Sequence, residues 1–209
     1  MGHVPHLFLP GPWEDHIEVS AQQRHHLEKV LRLDDGMPVD YTDGTGILGS
    51  GRYISGAVAR GQETEVRRPS DLSVVTAPPD NRDRTRFLVE KLAEIGVAEL
   101  GFLETKYGQG RPPRVDRAHS WAVSGLEQSR GAWLMRLRTE PVALTELERP
   151  FVVCDPAGSR ERPSARTVVI GPEGGWAPGE MPDDVQIWDL GDTVLRLETA
   201  ALVAAARLL

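Results

Sequence analysis

From residue 72 onward the chain alternates short apolar runs with helical patterns, and this alternation limits the fold more than any other feature. "LSVVTA" (72–77), "AELGFL" (98–103), "LMRLRT" (134–139), "FVVC" (151–154), "TVVI" (167–170) and "QIWDL" (186–190) read as strands. Between the early ones, "NRDRTRFLVEKLAEIG" places Phe87, Leu88, Leu92 and Ile95 at helical spacing with Gly96 as its stop, and "VDRAHSWAVSGLEQS" reads as a helix opened by Asp116. Strands alternating with helices predict an α/β domain with a largely parallel sheet. The chain closes on "LRLETAALVAAARLL" (195–209), apolar on nearly every side. Such a helix is expected to be buried in its own domain or against a second subunit.

Before residue 68 the rhythm is different. "MPVDYTDGTGILGSGRYISGAVARGQETEVRR" alternates β-formers with Asp-Gly and Gly-rich turns, the pattern of hairpins in a small β-barrel domain. Ahead of it, "SAQQRHHLEKVLRLDDG" predicts a short helix capped by Ser20, with Leu27, Val30 and Leu31 on one face and a stop at Asp34-Asp35-Gly36. "RRPSD" (67–71) reads as a linker, dividing the chain into residues 1–68 and 69–209.

Composition narrows the class. Of 209 residues, 40% are hydrophobic and 26% charged, as in an ordinary soluble globular protein. No apolar run approaches the ~20 residues of a membrane span, and the start, "MGHVPHLFLPGPWED", lacks the pattern of a secretory signal. The single cysteine, Cys154, leaves no internal disulfide, so a reducing cytoplasm is the expected compartment. The six histidines lack partner cysteines, and pairs such as His25/His26 do not fill a metal site, so no metal is expected. The net charge of −7 argues against a general nucleic-acid glove. Yet nearly all the positive charge is arginine, only Lys29, Lys91 and Lys106 being lysines. Several arginines cluster, as Arg82/Arg84/Arg86 and Arg111/Arg114/Arg117. Arginine forks phosphate and stacks on bases better than lysine does.

Two loops after late strands carry the chemistry: "IGPEGGW" (170–176) and "LGDTVLRLETA" (190–200). In an open parallel sheet, ligands sit beyond the carboxyl ends of strands. Glycine there lets a ligand touch bare peptide groups, and Pro172 and Pro178 stiffen the first loop. Gly-Pro and Gly-Gly also mark plain turns, so each loop alone is a weak signal. Glu173, an acid set among glycines, has little reason to be there for stability. The second loop leads into the last helix, where Thr199 and free N–H groups suit an anionic group. No G-x-G-x-x-G follows the first strand and no P-loop is present, so nicotinamide and ATP lack their signatures.

Together these residues resemble the ribosomal small-subunit methyltransferase E family, of the SPOUT class. "GPEGGW" and "LGDTVLRLETA" are similar to that family's two cofactor loops nearly letter for letter. "RDRTRFLVEKLAEIGV" (82–97) resembles its first methyltransferase helix through Lys91, Glu94, Gly96 and Val97. "HHLEKVLRLDDG" (25–36) resembles the entry of its PUA-like β domain, and "EQSR" (127–130) a later helix end. The resemblance implies a PUA-like RNA-binding β-barrel over 1–68 and a trefoil-knotted α/β methyltransferase domain with a parallel sheet over 69–209. It implies S-adenosylmethionine as cofactor and methylation of N3 of a uridine in 16S rRNA of the small ribosomal subunit. It also implies a homodimer in the cytoplasm, with neither metal nor membrane.

Carried onto this sequence, the cofactor residues are Ile170, Gly171, Pro172, Glu173, Gly174, Gly175, Leu190, Gly191, Val194, Leu195, Arg196 and Thr199. Uracil N3 carries a proton at neutral pH, so a base must take it or a cation must stabilise the anion. Arg130 and Arg196 are the candidate cations, and Glu127 and Glu198 the candidate orienting or proton-accepting acids. On the RNA side stand Arg24, His25, His26, Arg32, Arg84, Lys106, Arg111 and Arg114. The sequence departs from the family pattern at Asn81, at Lys106-Tyr107-Gly108 and at Gly131, all on the presumed RNA side. Two alternatives follow: a target at another rRNA or tRNA nucleotide, or an RNA-binding paralogue without turnover.

Overall fold

The computed structural model describes residues 4–209, so the first three residues of the stretch read for a leader lie outside it. Its contacts divide it into two compact units. One runs up to Arg68 and takes in Leu126–Leu134; the other comprises Pro69–Gly125 and Met135–Leu209.

The first unit contains β1 (His6–Phe8), β2 (His16–Glu18), α1 (Ala21–His25), β3 (Pro38–Thr42), β4 (Ile47–Ile54) and β5 (Ala57–Glu65). They form one five-stranded sheet in the order β1-β3-β4-β5-β2. The β1–β3 ladder is parallel and the others are antiparallel. The sheet is therefore mixed, with the three-residue strands β1 and β2 at its two edges, where a closed barrel was expected. Ser55 and Gly56 both have positive φ, the geometry of a tight hairpin turn between β4 and β5, and Asp35 holds it by accepting from the Ser55 N–H at 2.8 Å. Leu7, Leu9, Ile17, Val39, Tyr41, Tyr53 and Val58 form the core.

Ser20 caps α1 as expected, forming a reciprocal capping box with Gln23. The helix then widens into a π-helical turn over His26–Val30. That extra residue per turn rotates the following side chains out of register. Leu27 is buried as read, but Val30 is 60% and Leu31 40% exposed, which corrects the expected three-residue face.

The second unit contains β6 (Ser73–Thr76), α2 (Arg82–Glu94), β7 (Glu99–Glu104), α3 (Val115–Ser129, to Gly125), β8 (Arg136–Ala143), β9 (Val152–Ser159), β10 (Thr167–Ile170), β11 (Gln186–Trp188) and α4 (Leu197–Leu208). All six strands run parallel in the order β11-β9-β10-β6-β7-β8. Val74, Val75, Leu100, Phe102, Val152, Val153, Val168 and Val169 are all buried, as strands covered on both faces require. β8 continues through Pro141, which an edge strand tolerates because no neighbour needs its missing N–H.

α4 packs against α2, β10 and β6 through Ala200, Ala201, Ala204, Ala205 and Leu208. On α2 the buried stripe is Thr85, Leu88, Val89, Leu92 and Ala93. Phe87 and Ile95, expected inward, are exposed, because the stripe that meets the sheet and α4 is centred one residue further along. Among the described residues no helix is long and apolar enough to cross a membrane, and no cluster of metal-ligating side chains occurs.

Candidate functional site

The chain leaves β6 toward β7 and β8, while β10, β9 and β11 lie on its other side. The loops after β6 and β10 therefore diverge, opening a crevice at the carboxyl ends of adjacent strands. At this end of the sheet a cleft of about 250 Å³ lies beyond β9, β10 and β11, and the loop after β6 lines a separate, neighbouring cavity. Ile170, Gly171, Pro172, Glu173 and Gly175 line it from the first loop, and Leu190, Gly191, Val194 and Leu195 from the second. Three residues named with them lie elsewhere. Gly174 faces a neighbouring cavity, Arg196 is the N-cap of α4 without a side-chain capping bond, and Thr199 is exposed on α4.

Sequence reasoning missed Cys154, Asp155 and Pro156, which reach the cleft because β9 pairs with β10 in the register Ile170↔Cys154. It also missed Trp176, Asp189, Thr193, Leu197 and Ala200. Trp176 and Asp189 stand inside or beside the two quoted motifs, and that position was their signal.

Local chemistry makes the cleft wall rigid. A Cβ on Gly171 would lie 2.8 Å from the Trp176 indole, so the absent side chain is what lets that ring fold over the loop. The Gly175 N–H donates to the Pro172 carbonyl at 2.9 Å, closing the turn. In the second loop Asp189 accepts from the Gly191 N–H at 2.9 Å and from Arg160 Nε at 2.8 Å. The Gly191 hydrogen bond first, and Arg160 second, hold the Asp189 carboxyl below the usual carboxylate range. Arg160 also pairs with Asp192, so one guanidinium fixes both ends of the bend. Burial pushes the Cys154 thiol up to about 12, which keeps it a neutral, inert wall.

The charge of the lining is one-sided. Asp155, Glu173 and Asp189 face the cleft, and among the described residues no lysine or arginine does. Besides Arg160, a second cation reaches these acids from outside the cleft, Arg84 of α2, and it too is engaged. Its Nε donates to Glu198 at 3.1 Å, Nη2 to the other Glu198 oxygen at 2.7 Å, and Nη1 to Asp80 at 3.0 Å; it also pairs with Glu173. Burial raises the cost of ionising Glu198, but the Arg84 hydrogen bonds, a backbone N–H and the charges of Arg84 and Arg196 together outweigh it, and its carboxyl sits below the usual range. Arg84 was read as an RNA contact; here it joins three carboxylates and ties the first loop to the start of α4.

A second cavity of about 180 Å³ is lined by residues 77–80 and 107–110 and shares Pro172, Glu173 and Leu197 with the first. Gly174 permits this arrangement, since a Cβ there would stand 3.2 Å from that of Tyr107. Glu173 thus lies on a wall common to two cavities.

The remaining candidates are dispersed. In the second unit Arg111 and Lys106 are exposed between β7 and α3, and exposed Arg114 pairs with Asp116 at 3.2 Å. Asn81 caps α2, its side-chain oxygen accepting from the Asp83 N–H at 2.7 Å. In the first unit Arg24 donates to the Gly56 carbonyl at 3.3 Å, while His25, His26 and Arg32 are exposed. Glu127 accepts from the Phe8 N–H at 2.9 Å, and burial raises its pKa. Arg130 has a left-handed backbone (φ 57°), with the Gly131 N–H reaching the Leu126 carbonyl at 3.1 Å as in a Schellman cap. Its side chain pairs with Asp40 and donates to the Val4 carbonyl at 3.0 Å. Of the three residues named as catalytic, two therefore belong to the first unit with strand-edge and helix-end bonds, and Arg196 belongs to the second.

A parallel sheet with a glycine-walled cleft beyond its carboxyl ends defines a ligand-binding α/β domain. Residues 66–209 match the family model described as an RNA methyltransferase domain, and the chain belongs to that family. Several solved structures share its fold. The ribosomal RNA small subunit methyltransferase E from Neisseria gonorrhoeae, bound to S-adenosyl methionine, is 23% identical with a TM-score of 0.83, covering 98% of this chain and 96% of that one. Lpg2936 from Legionella pneumophila, in complex with S-adenosylmethionine, is 24% identical with a TM-score of 0.81, over 99% and 97% of the two chains. A predicted RNA methyltransferase from Thermotoga maritima is 26% identical with a TM-score of 0.78, over 98% and 97%. None of the curated proteins compared with the chain matches it.

Proposed function

We propose that the protein binds S-adenosylmethionine in the cleft between 170–176 and 189–195 and methylates N3 of a uridine in 16S rRNA. One observation carries the cofactor reading: the cleft presents Asp155, Glu173 and Asp189 and no cation. A triphosphate such as ATP would find no cation in that lining, since Arg84 and Arg160 are already engaged by Glu173 and Asp189, whereas a sulfonium and an ammonium can lie against carboxylates. The bare backbone and the aliphatic groups of Leu190 and Leu195 suit a flat purine, which fits the glycine-rich walls. The ligands named for the Neisseria and Legionella structures agree with this choice.

When bound, the cofactor supplies an electrophilic methyl group. The chain's own residues then have two tasks. The loops hold that group toward the wall shared with the second cavity. Glu173, on that wall, accepts the proton that N3 must lose, with Arg84 orienting its carboxylate. The finer parts of the reading are a knotted carboxyl-terminal segment, a PUA-like role for the mixed sheet, a homodimer, and action in the cytoplasm on the small ribosomal subunit. The path of the chain from β11, at the sheet edge, back to α4 against α2 and β6 supports the knot.

Calorimetry with S-adenosylmethionine and ATP tests the cofactor, and micromolar binding of the first alone is expected. Nucleoside mass spectrometry of 16S rRNA from a deletion strain tests the target. Loss of 3-methyluridine supports it, and persistence of that nucleoside with loss of another moves the activity to a different position.

A further inference from the structure

A third cavity, of about 440 Å³, opens where the start of α2 faces residues 109–117. Arg82, Arg111, Arg114 and Arg117 line it. Several arginines elsewhere in the second unit are each matched by a carboxylate: Arg86 by Glu90, Arg136 and Arg138 by Glu99, Arg149 by Asp184. Arg82, Arg111 and Arg117 form no ion pair among the described residues, and Arg114 meets only exposed Asp116. The one acid in the lining, Asp80, is held by Arg84 at 3.0 Å. The first turn of a thirteen-residue helix adds its positive end to the same place. Cations left unmatched around a concave surface mark a site for an anion with several charges.

The neighbours of this cavity indicate which anion. It shares Pro79, Asp80, Gln109 and Gly110 with the 180 Å³ cavity, which shares Pro172, Glu173 and Leu197 with the acidic cleft. Three cavities thus follow one another: arginine-lined, then a middle one without a cation, then acidic. Tyr107, 46% exposed, offers an aromatic face in the middle one. A nucleotide has the same order of parts, a phosphate followed by a flat base.

We propose that this row of cavities is the path of a single-stranded RNA substrate. The arginine cavity binds phosphates flanking the target nucleotide, and the unstacked target base stands in the middle cavity against Tyr107, facing the cofactor cleft across Glu173. The proposal rests on the methyltransferase reading and adds Arg82, Arg117 and Tyr107 as substrate-binding residues. A single strand is specified because only an unstacked base enters so small a space.

The test uses the full chain and a labelled, uridine-rich RNA of about twelve nucleotides, within the span such grooves cover. Binding is followed by anisotropy over a salt series, with cofactor affinity measured separately by calorimetry. The triple variant Arg82→Ala/Arg111→Ala/Arg117→Ala is expected to lower the slope of log affinity against log salt by about two, near 0.7 for each lost phosphate contact. Tyr107→Ala is expected to weaken binding about tenfold with the slope unchanged, as loss of one stacked base does. Cofactor affinity stays within about twofold in both variants. Wild-type affinity and slope in the triple variant, no RNA binding by the wild type, or equal competition by polyglutamate would each overturn the proposal. Weakened RNA binding in a protein that never binds S-adenosylmethionine would sink the cofactor reading and leave the RNA path standing. The reverse pair of results would do the opposite.

Discussion

The cleft beyond β9, β10 and β11 and the cavity at the start of α2 belong to one unit and carry opposite charge. The first presents three acids and bare backbone; the second presents four arginines. They also differ in how they are held. The acids of the cleft are fixed by bonds from outside it, Asp189 by Arg160 and Glu173 by Arg84, whereas the arginines of the cavity are mostly unmatched. The difference teaches that a net charge of −7 says little about partners. What matters is which charges are neutralised locally and which are left facing a concave surface.

The largest expected effect comes from breaking the acidic side at its anchor. Arg84→Ala would leave Glu198, whose side chain is only 10% exposed, without its cation. Orphaning a largely buried carboxylate costs about 3 kcal/mol or more. Urea unfolding measures this, and a loss below about 1 kcal/mol would mean that the cluster does not hold the loop to α4. Arg84→Ala/Glu198→Gln should recover part of the loss, because it removes the orphaned charge.

Glu173→Gln separates chemistry from binding. The expected result is a fall in methyl-transfer rate of about a hundredfold, the lower range for loss of a general base, with a much smaller loss of cofactor affinity, because Asp155 and Asp189 still line the cleft. An equal fall in both would make Glu173 a cofactor ligand instead. Gly171→Ala sets a methyl group against the Trp176 ring and should cost about 1–3 kcal/mol of stability. It should also weaken cofactor binding while leaving RNA affinity intact, and so distinguish the two charge regions again.

Acid should act through Glu198. Its folded-state pKa is depressed, so the stability it contributes is present above its unfolded value near 4.5 and is lost as pH falls through the lower folded value. Unfolding followed below pH 4.5 should therefore be less pH-dependent in Glu198→Gln than in the parent chain. The smallest effect is expected at Arg130, outside both cavities. Arg130→Gly relieves a left-handed backbone worth about 1 kcal/mol and removes a partly exposed ion pair worth less than that. Stability should shift by no more than about 1 kcal/mol, so a larger loss of activity would restore Arg130 to the reaction.

These contrasts also explain what could be read from the sequence. The parallel core was legible because Val74–Val75, Val152–Val153 and Val168–Val169 are unbroken apolar runs, which only buried strands need. The two loops that line the cleft were legible because glycine and proline impose local geometry. The Arg84–Glu198 bond was not, since it joins residues 114 apart and depends on α2 meeting α4. Asp155 escaped notice for a related reason: "DPAGS" has poor strand character, yet β9 runs through it to Ser159, which pairs with Trp188 beyond an irregularity in the β11 register. The arginine cavity had a trace in the clusters 82–86 and 111–117, but which arginines stay unmatched is decided by the fold. The π-helical turn at His26–Val30 left no trace, since a helical pattern does not disclose a change of bond register.

The most direct measurement is a crystal structure of the chain soaked with S-adenosylhomocysteine. The expected result is ligand density between Gly171–Trp176 and Leu190–Leu195, its homocysteine end directed at the wall formed by Pro172, Glu173 and Leu197. Density in the arginine cavity with the acidic cleft empty would contradict the assignment of opposite charges to the two regions.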